Sequence, residues 1–177
     1  SSLKYKLLRY FEKVQVRRAK AIVVPTNASK QLILDHGATG SIFVRPISVD
    51  TELYCPDTAS RRLIRDDLQV QDRTVLLYTG KFGGIYYNTS DLAAFFNSVS
   101  KYAPELFLLI ITNTPAELVQ ESMLKAGIAR DRFHISGSVP YSELPSFMNA
   151  ADLGLLAVPP FPSQRYRTPV KTGLYLS

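Results

Sequence analysis

The sequence is poor in several of the residues that usually announce a function. Cysteine occurs once in 177 residues, at Cys55, so no disulfide can close within the chain. That fits a reducing compartment, and the chain reads as cytosolic. Histidine occurs twice, at His36 and His134. Neither has an acidic or cysteine partner at metal-ligand spacing, so no zinc site is expected. His134 stands in the strand-like stretch Arg132-Phe133-His134-Ile135, where a structural or surface role outweighs catalysis. The longest apolar stretches, such as Leu106 to Ile111 and Leu153 to Val158, fall far short of the ~20 residues that cross a bilayer. The opening Ser1-Ser2-Leu3-Lys4 lacks the apolar run and cleavage site of a signal peptide, and a start on serine rather than methionine reads as an excised piece. There is no Gly-x-Ser-x-Gly elbow, no phosphate-binding loop ending in Lys-Ser or Lys-Thr, and no Gly-x-Gly-x-x-Gly. Internal repeats and low-complexity segments are missing too.

Acidic residues are outnumbered, 15 against 21 Lys and Arg, which leaves a formal net charge of +6. That favours an anionic partner, with phosphate, membrane surface and nucleic acid all admitted. Much of the excess lies near the start, where Lys4, Lys6, Arg9, Lys13, Arg17, Arg18 and Lys20 face a single Glu12. Leu3, Leu7, Phe11 and Val14 recur at spacings of three and four, which predicts a helix with a buried stripe and a basic face. Such a face can rest on an anionic membrane, and the plainer reading is a solvated surface.

With 46% hydrophobic and 20% charged residues, the chain can bury one ordinary core but hardly two. It alternates short apolar strands with capped helices. Ala21 to Val24 reads as a strand, followed by a helix capped by Thr26 or Asn27 that ends near Gly37, then a strand at Ile42 to Val44. Pro46 to Pro56 has linker chemistry and marks a boundary, dividing the chain into 1–45, 46–56 and 57–177. Asp57 can cap the next helix. Thr74 to Thr79 is a strand running into Gly80-Lys81-Phe82-Gly83-Gly84, and a helix from near Ser90 is expected to bury Leu92, Phe95, Phe96 and Val99. Leu106 to Ile111 is apolar on both faces, as at the centre of a parallel sheet. Thr114, Pro115 and Glu117 form a capping box for a helix that stops at Gly127. Phe133 to Ile135 is a strand, Ser142 begins a helix burying Leu144, Phe147 and Met148, Leu153 to Val158 is a strand, and Val170 to Ser177 starts a helix. This order predicts an α/β fold with a doubly wound parallel sheet. Ligands of such sheets bind beyond the carboxyl ends of the strands, here the loops Gly80 to Gly84, Thr112 to Thr114, Gly137 to Pro140 and Pro159 to Pro169.

No catalytic constellation is complete. Two features point to an anion: Lys81 among Gly80, Gly83 and Gly84, where small residues let backbone approach a phosphate, and Arg165-Tyr166-Arg167-Thr168-Pro169-Val170-Lys171 at a helix start. The order of segments then resembles glycosyltransferase family 4, retaining enzymes of the GT-B fold whose members often build bacterial surface polysaccharides. Ala21 to Ser29 is similar to that family's last acceptor-domain strand and the helix start after it. Pro46-Ile47-Ser48-Val49-Asp50 with Pro56 resembles its interdomain linker, Tyr78-Thr79-Gly80-Lys81 its first donor-domain strand and Gly-Arg turn, and Ile135 to Pro140 with Ser142 to Pro145 its third strand and helix. Ala150-Ala151-Asp152-Leu153 resembles the approach to its fourth strand, and Thr168 to Ser177 its Ser-Pro-x-Lys-x-x-Glu-Tyr-Leu-Ala motif.

The resemblance implies an acceptor-domain remnant at 1–45 and an incomplete donor domain at 57–177. It implies that Gly80, Lys81, Gly83, Gly84, Thr168 and Lys171 meet the diphosphate of a nucleotide-sugar donor. Asn113, Gly137, Ser138, Val139, Pro140 and Leu174 would line the base and ribose. No cofactor or metal is implied, because cations and helix dipole take up the leaving-group charge. The expected acceptor is a saccharide or a lipid-linked sugar, with a cytoplasmic location or peripheral contact at the inner face of the membrane, and no nucleic acid. The family's ribose-binding glutamate falls at Leu174, and the second loop lysine has no counterpart near Tyr86, Tyr87 and Asn88. A fragment of this extent is expected not to turn over alone. Two other readings follow, a glycosyltransferase-like domain that binds donor weakly and, from charge only, a nucleic-acid-binding domain.

Overall fold

A computed structural model describes residues 3–84, 86–158 and 161–176. Pro159 and Pro160, which open the fourth expected loop, and Ser177, which ends the last motif, lie outside the described residues. The chain divides into two compact units, one formed by the described residues of Ser1–Ser48 and Pro160–Gly173, the other by those of Val49–Pro159 and Leu174–Ser177. The segment 161–173, placed with the second unit by chain order, thus packs with the first.

The first unit begins with helix α1 (Leu3–Arg18), followed by strand β1 (Ala21–Val24), helix α2 (Asn27–Asp35) and strand β2 (Ser41–Val44). The strands pair in parallel, Ala21 with Ser41 through Val24 with Val44. α2 starts at Thr26, whose hydroxyl accepts the Ser29 amide at 3.0 Å, and gives way to Gly37 at φ 87°. α1 forms as the three-and-four spacing predicts, but most of its stripe is not buried. Leu3, Leu7 and Phe11 are each more than half exposed, Val14 is half-buried, and Val16 is the buried residue of the helix. Residues 162–166 form a 3₁₀ turn, and α7 (Val170–Leu176) leads back to the second unit.

The second unit is a four-stranded parallel sheet. Helix α3 (Thr58–Asp67) leads to β3 (Thr74–Thr79), then α4 (Thr89–Ser100), β4 (Leu106–Ile111), α5 (Ala116–Lys125), β5 (Phe133–Ile135), α6 (Leu144–Ala150) and β6 (Leu153–Gly154). The order across the sheet is β5-β4-β3-β6. β3 and β4 are in register over six pairs, Thr74 with Leu106 through Thr79 with Ile111. Every residue of β4 is buried because side chains of alternate sign along the pleat meet a layer on either face. One face, carrying Leu76, Tyr78, Leu108 and Ile110, packs on α4 and α5 through Leu92, Phe96, Val119 and Met123. The other, carrying Val75, Leu77, Leu109 and Ile111, packs on Leu68, Leu144, Phe147 and Met148. Burying a leucine such as Leu109 fully contributes roughly 1.5–3 kcal/mol.

Four local expectations are corrected. Phe95 is 42% exposed rather than buried, since it lies on the outer side of α4. α6 starts at Leu144, with residues 141–143 as a turn before it. β6 pairs over two residues, although the Asp152 and Leu155 amides also bond Val75 and Leu77 carbonyls at 2.9 and 2.7 Å. Thr114 does not cap α5; the cap position is Pro115, and the Thr114 hydroxyl bonds elsewhere. Among the described residues no helix is long and apolar enough to cross a membrane.

Candidate functional site

The carboxyl ends of β3, β4 and β5 bring three of the expected loops together, and hydrogen bonds lace them. The chain leaves β3 through Gly80, whose amide donates to the Ile111 carbonyl at 2.8 Å, continuing the ladder with β4. Two residues later the Phe82 amide donates to the Thr114 hydroxyl at 3.4 Å. Gly83 and Gly84 follow at φ 82° and 66°, a region where a side chain would be strained. The Gly83 amide reaches the Tyr87 carbonyl at 3.0 Å and closes the loop. The amides of Gly80 and Gly83 are therefore taken by protein carbonyls, while Lys81 and Gly84 are exposed on the same loop.

Around it, the buried Thr112 accepts the Thr114 amide on its hydroxyl at 3.1 Å and donates its own amide to the Gly137 carbonyl at 3.2 Å. Asn113, Gly137, Ser138 and Pro140 are exposed beside it, while Val139 packs against the core face that carries Ile111. Leu174 is half-buried and lines a cavity of about 100 Å³ with Tyr54, Leu77, Asn149, Gly154 and Tyr175. The hydroxyls of Tyr175 and Thr79 lie 3.1 Å apart, and a Cβ at Gly154 would stand 2.5 Å from the Tyr175 ring, so only glycine admits that ring there. Burial raises the pKa of Tyr175, so the phenol stays neutral.

Thr168 and Lys171 belong to the first unit. Thr168 donates its hydroxyl to the Pro25 carbonyl at 3.3 Å. Ser29 donates to the Tyr166 carbonyl at 2.9 Å, and the Thr26 hydroxyl lies 3.2 Å from the Arg165 carbonyl. The segment carrying the last motif is thus clasped to the start of α2. Lys171 is half-buried, and desolvation lowers its pKa. His134 lies on β5, where burial and then the nearby Arg130 lower its pKa, as for a neutral packed imidazole. No group of three or more His, Cys, Asp or Glu that could hold a metal occurs among the described residues.

Sequence reasoning missed Tyr78, Thr79 and the Thr26–Ser29 pair. Tyr78 alternates into the core and reads as one more buried strand residue, so only the three-dimensional arrangement reveals its hydroxyl as a loop contact. For Thr26 the cap signal was legible, but it gave no hint of a partner 139 residues away.

No family model and no curated protein matches the sequence. Solved structures do match. HepE of Anabaena, in complex with UDP and glucose, aligns at TM-score 0.60 and 17% identity over 86% of this chain and 42% of its own. Sucrose-phosphate synthase from Thermosynechococcus elongatus aligns at TM-score 0.62 and 16% identity over 87% of this chain and 39% of its own. WaaG, a glycosyltransferase involved in lipopolysaccharide biosynthesis, gives 0.61 and 15% over 89% and 44%. The chain therefore spans less than half the length of these structures. At such identities the likeness shows the fold, which is that of the GT-B glycosyltransferases.

Proposed function

We propose that this chain is part of a glycosyltransferase that takes its sugar from a nucleotide-diphosphate donor. The observation that carries the reading is Lys81, exposed on a glycine-rich loop at the carboxyl edge of a parallel sheet, in a fold whose solved examples include one with UDP and glucose bound. In this reading Lys81 meets the donor diphosphate as a point charge, because the neighbouring Gly80 and Gly83 amides are already bonded. Thr168 and Lys171, by resemblance of their motif, contact phosphate as well. Asn113 and Gly137 to Pro140 border the base. Transfer with retention, into a bacterial polysaccharide or glycoconjugate, and an acceptor that is a saccharide or lipid-linked sugar, belong to the same proposal, as do the donor and acceptor roles of the two domains.

Leu174 favours a second reading, a fold that binds donor weakly. An apolar side chain cannot accept the ribose hydroxyls, and a hydrogen bond to a charged group is worth roughly 1.5–3 kcal/mol. Thermal unfolding against UDP, GDP, ADP and CMP separates the two. A site occupied at ~100 times its dissociation constant adds about 2.7 kcal/mol, so one nucleotide should raise Tm by several degrees and Lys81→Ala should abolish the rise. No shift with any nucleotide would favour the weak-binding reading.

A further inference from the structure

Tyr78 is the last but one residue of β3 and is 2% exposed, within the core face that packs on α4 and α5. Its ring stacks on Phe82 with centroids 4.6 Å apart and planes 20° from parallel. Its hydroxyl donates to the Lys81 carbonyl at 3.0 Å. A phenylalanine would supply the same burial and stacking, and what it would lack is the hydroxyl that holds the Lys81 carbonyl. The bond turns the Lys81 carbonyl inward. Gly80 before it is tied to Ile111, and Phe82 after it is tied to Thr114 and inserted into the core. Lys81 is left as the exposed residue at the crest of a loop held on both sides.

We infer that Tyr78 is a positioning residue for the phosphate-binding loop, fixing through its hydroxyl the backbone on which Lys81 is carried. The inference rests on the donor-site reading of Lys81. Desolvation first, and then the neighbouring Tyr175 and Tyr86 phenols, push the Tyr78 phenol up to about 12, so it remains a donor throughout the range in which enzymes work. A lysine acting as a point charge on an anion loses most of its effect when displaced by an ångström or so, and a carbonyl free to turn out to water permits that displacement.

The test uses the whole chain, with titration calorimetry of UDP, GDP and ADP beside UMP, GMP and AMP. In the wild type the diphosphate of one base should bind more tightly than its monophosphate. Tyr78→Phe should reduce that preference about three- to tenfold while leaving monophosphate affinity within about twofold, the loss expected for one hydrogen bond to the loop. In Lys81→Ala the same change at Tyr78 should have no further effect, since both act on one contact. Hydrogen exchange of residues 80–84 should quicken in Tyr78→Phe, with residues 106–111 unchanged. An unaltered preference, equal weakening of mono- and diphosphate, or unaltered exchange would each overturn the inference. A wild type that binds none of the six nucleotides would instead remove the donor-site reading on which it stands.

Discussion

Asp152 shows how one carboxylate can hold the second unit's helices to its sheet. It accepts the Val75 amide at 2.7 Å and Arg65 at 3.1 Å, and it pairs with Arg61. Arg65 is itself 7% exposed and donates also to the carbonyls of Ala150, Gln71 and Arg73. Burial alone would raise the pKa of Asp152, but the Val75 amide and the two guanidinium groups outweigh it and hold the carboxyl below its usual 3.8. Asp152→Asn would leave Arg65 without its counter-charge. With the carboxylate side chain 30% exposed, solvent recovers part of that cost, and a loss of about 2 kcal/mol is expected in urea unfolding. The sign of the pH dependence follows from the lowered pKa. The contribution is fully present above the unfolded value near 3.8 and is lost as pH falls through the folded value below it. The gap between wild type and Asp152→Asn should therefore stay constant from pH 7 to about 4.5 and narrow below 3.8. A gap that does not narrow there would mean that the asparagine acts by packing, without a charge effect.

At the scale of elements, the segment 161–169 stands out because three hydroxyls hold its end to the β1–α2 turn. Ser29 has one proton and gives it to Tyr166; Thr26 has one proton for two neighbours, Ser29 Oγ and the Arg165 carbonyl, while accepting the Ser29 amide. Removing two such hydroxyls costs roughly 1–3 kcal/mol locally, enough to raise the open population of the segment about five- to a hundredfold. Thr26→Val with Ser29→Ala should accordingly speed tryptic cleavage at Arg165 and Arg167 by that order, and Thr26→Ser alone, with Ser29 kept, should leave the wild-type rate. Mass spectrometry of the fragments checks it, and equal rates would show that the clasp is not what orders the segment. None of this was legible in the sequence, where a hydroxyl near a helix start reads only as a cap. Elements whose signal is local were legible: β3 and β4 from unbroken apolar runs, α2 and α3 from Thr26 and Asp57, and the loop after β3 from its glycines. What escaped depends on partners distant in the chain. Thr114 had every mark of a cap yet spends its hydroxyl on Phe82, and 161–173 joins the first unit although it follows β6 of the second. The candidate loop divides in the same way, since Lys81 and Gly83 were visible by composition while Tyr78, whose hydroxyl bonds the Lys81 carbonyl, was hidden by looking like core.

At the scale of the whole molecule, the excess of positive charge and the unburied stripe fall on the same element. α1 exposes Leu3, Leu7, Leu8, Tyr10 and Phe11, each more than half, and carries Lys4, Lys6, Arg9, Lys13, Arg17 and Arg18 against Glu12 alone. An apolar stripe flanked by cations matches an anionic bilayer, to which each basic residue near the surface contributes about 1 kcal/mol, while the apolar side chains enter the headgroup layer. The two contributions respond differently to salt, and that separates membrane contact from a merely solvated basic face. If α1 docks on membranes, the chain should sediment with vesicles containing phosphatidylglycerol and fail to do so with pure phosphatidylcholine. Binding should weaken steeply between 0.05 and 0.5 M salt as the screening length falls from about 14 to about 4 Å. Leu7→Ser with Phe11→Ser should abolish sedimentation even at low salt, because cations alone hold a helix of this length only loosely. Sedimentation that survives both serines would reduce the contact to charge. No sedimentation at any salt would assign the stripe to a protein surface, where the exposed Val23 and Phe43 of the two-stranded sheet supply further apolar area in the same unit.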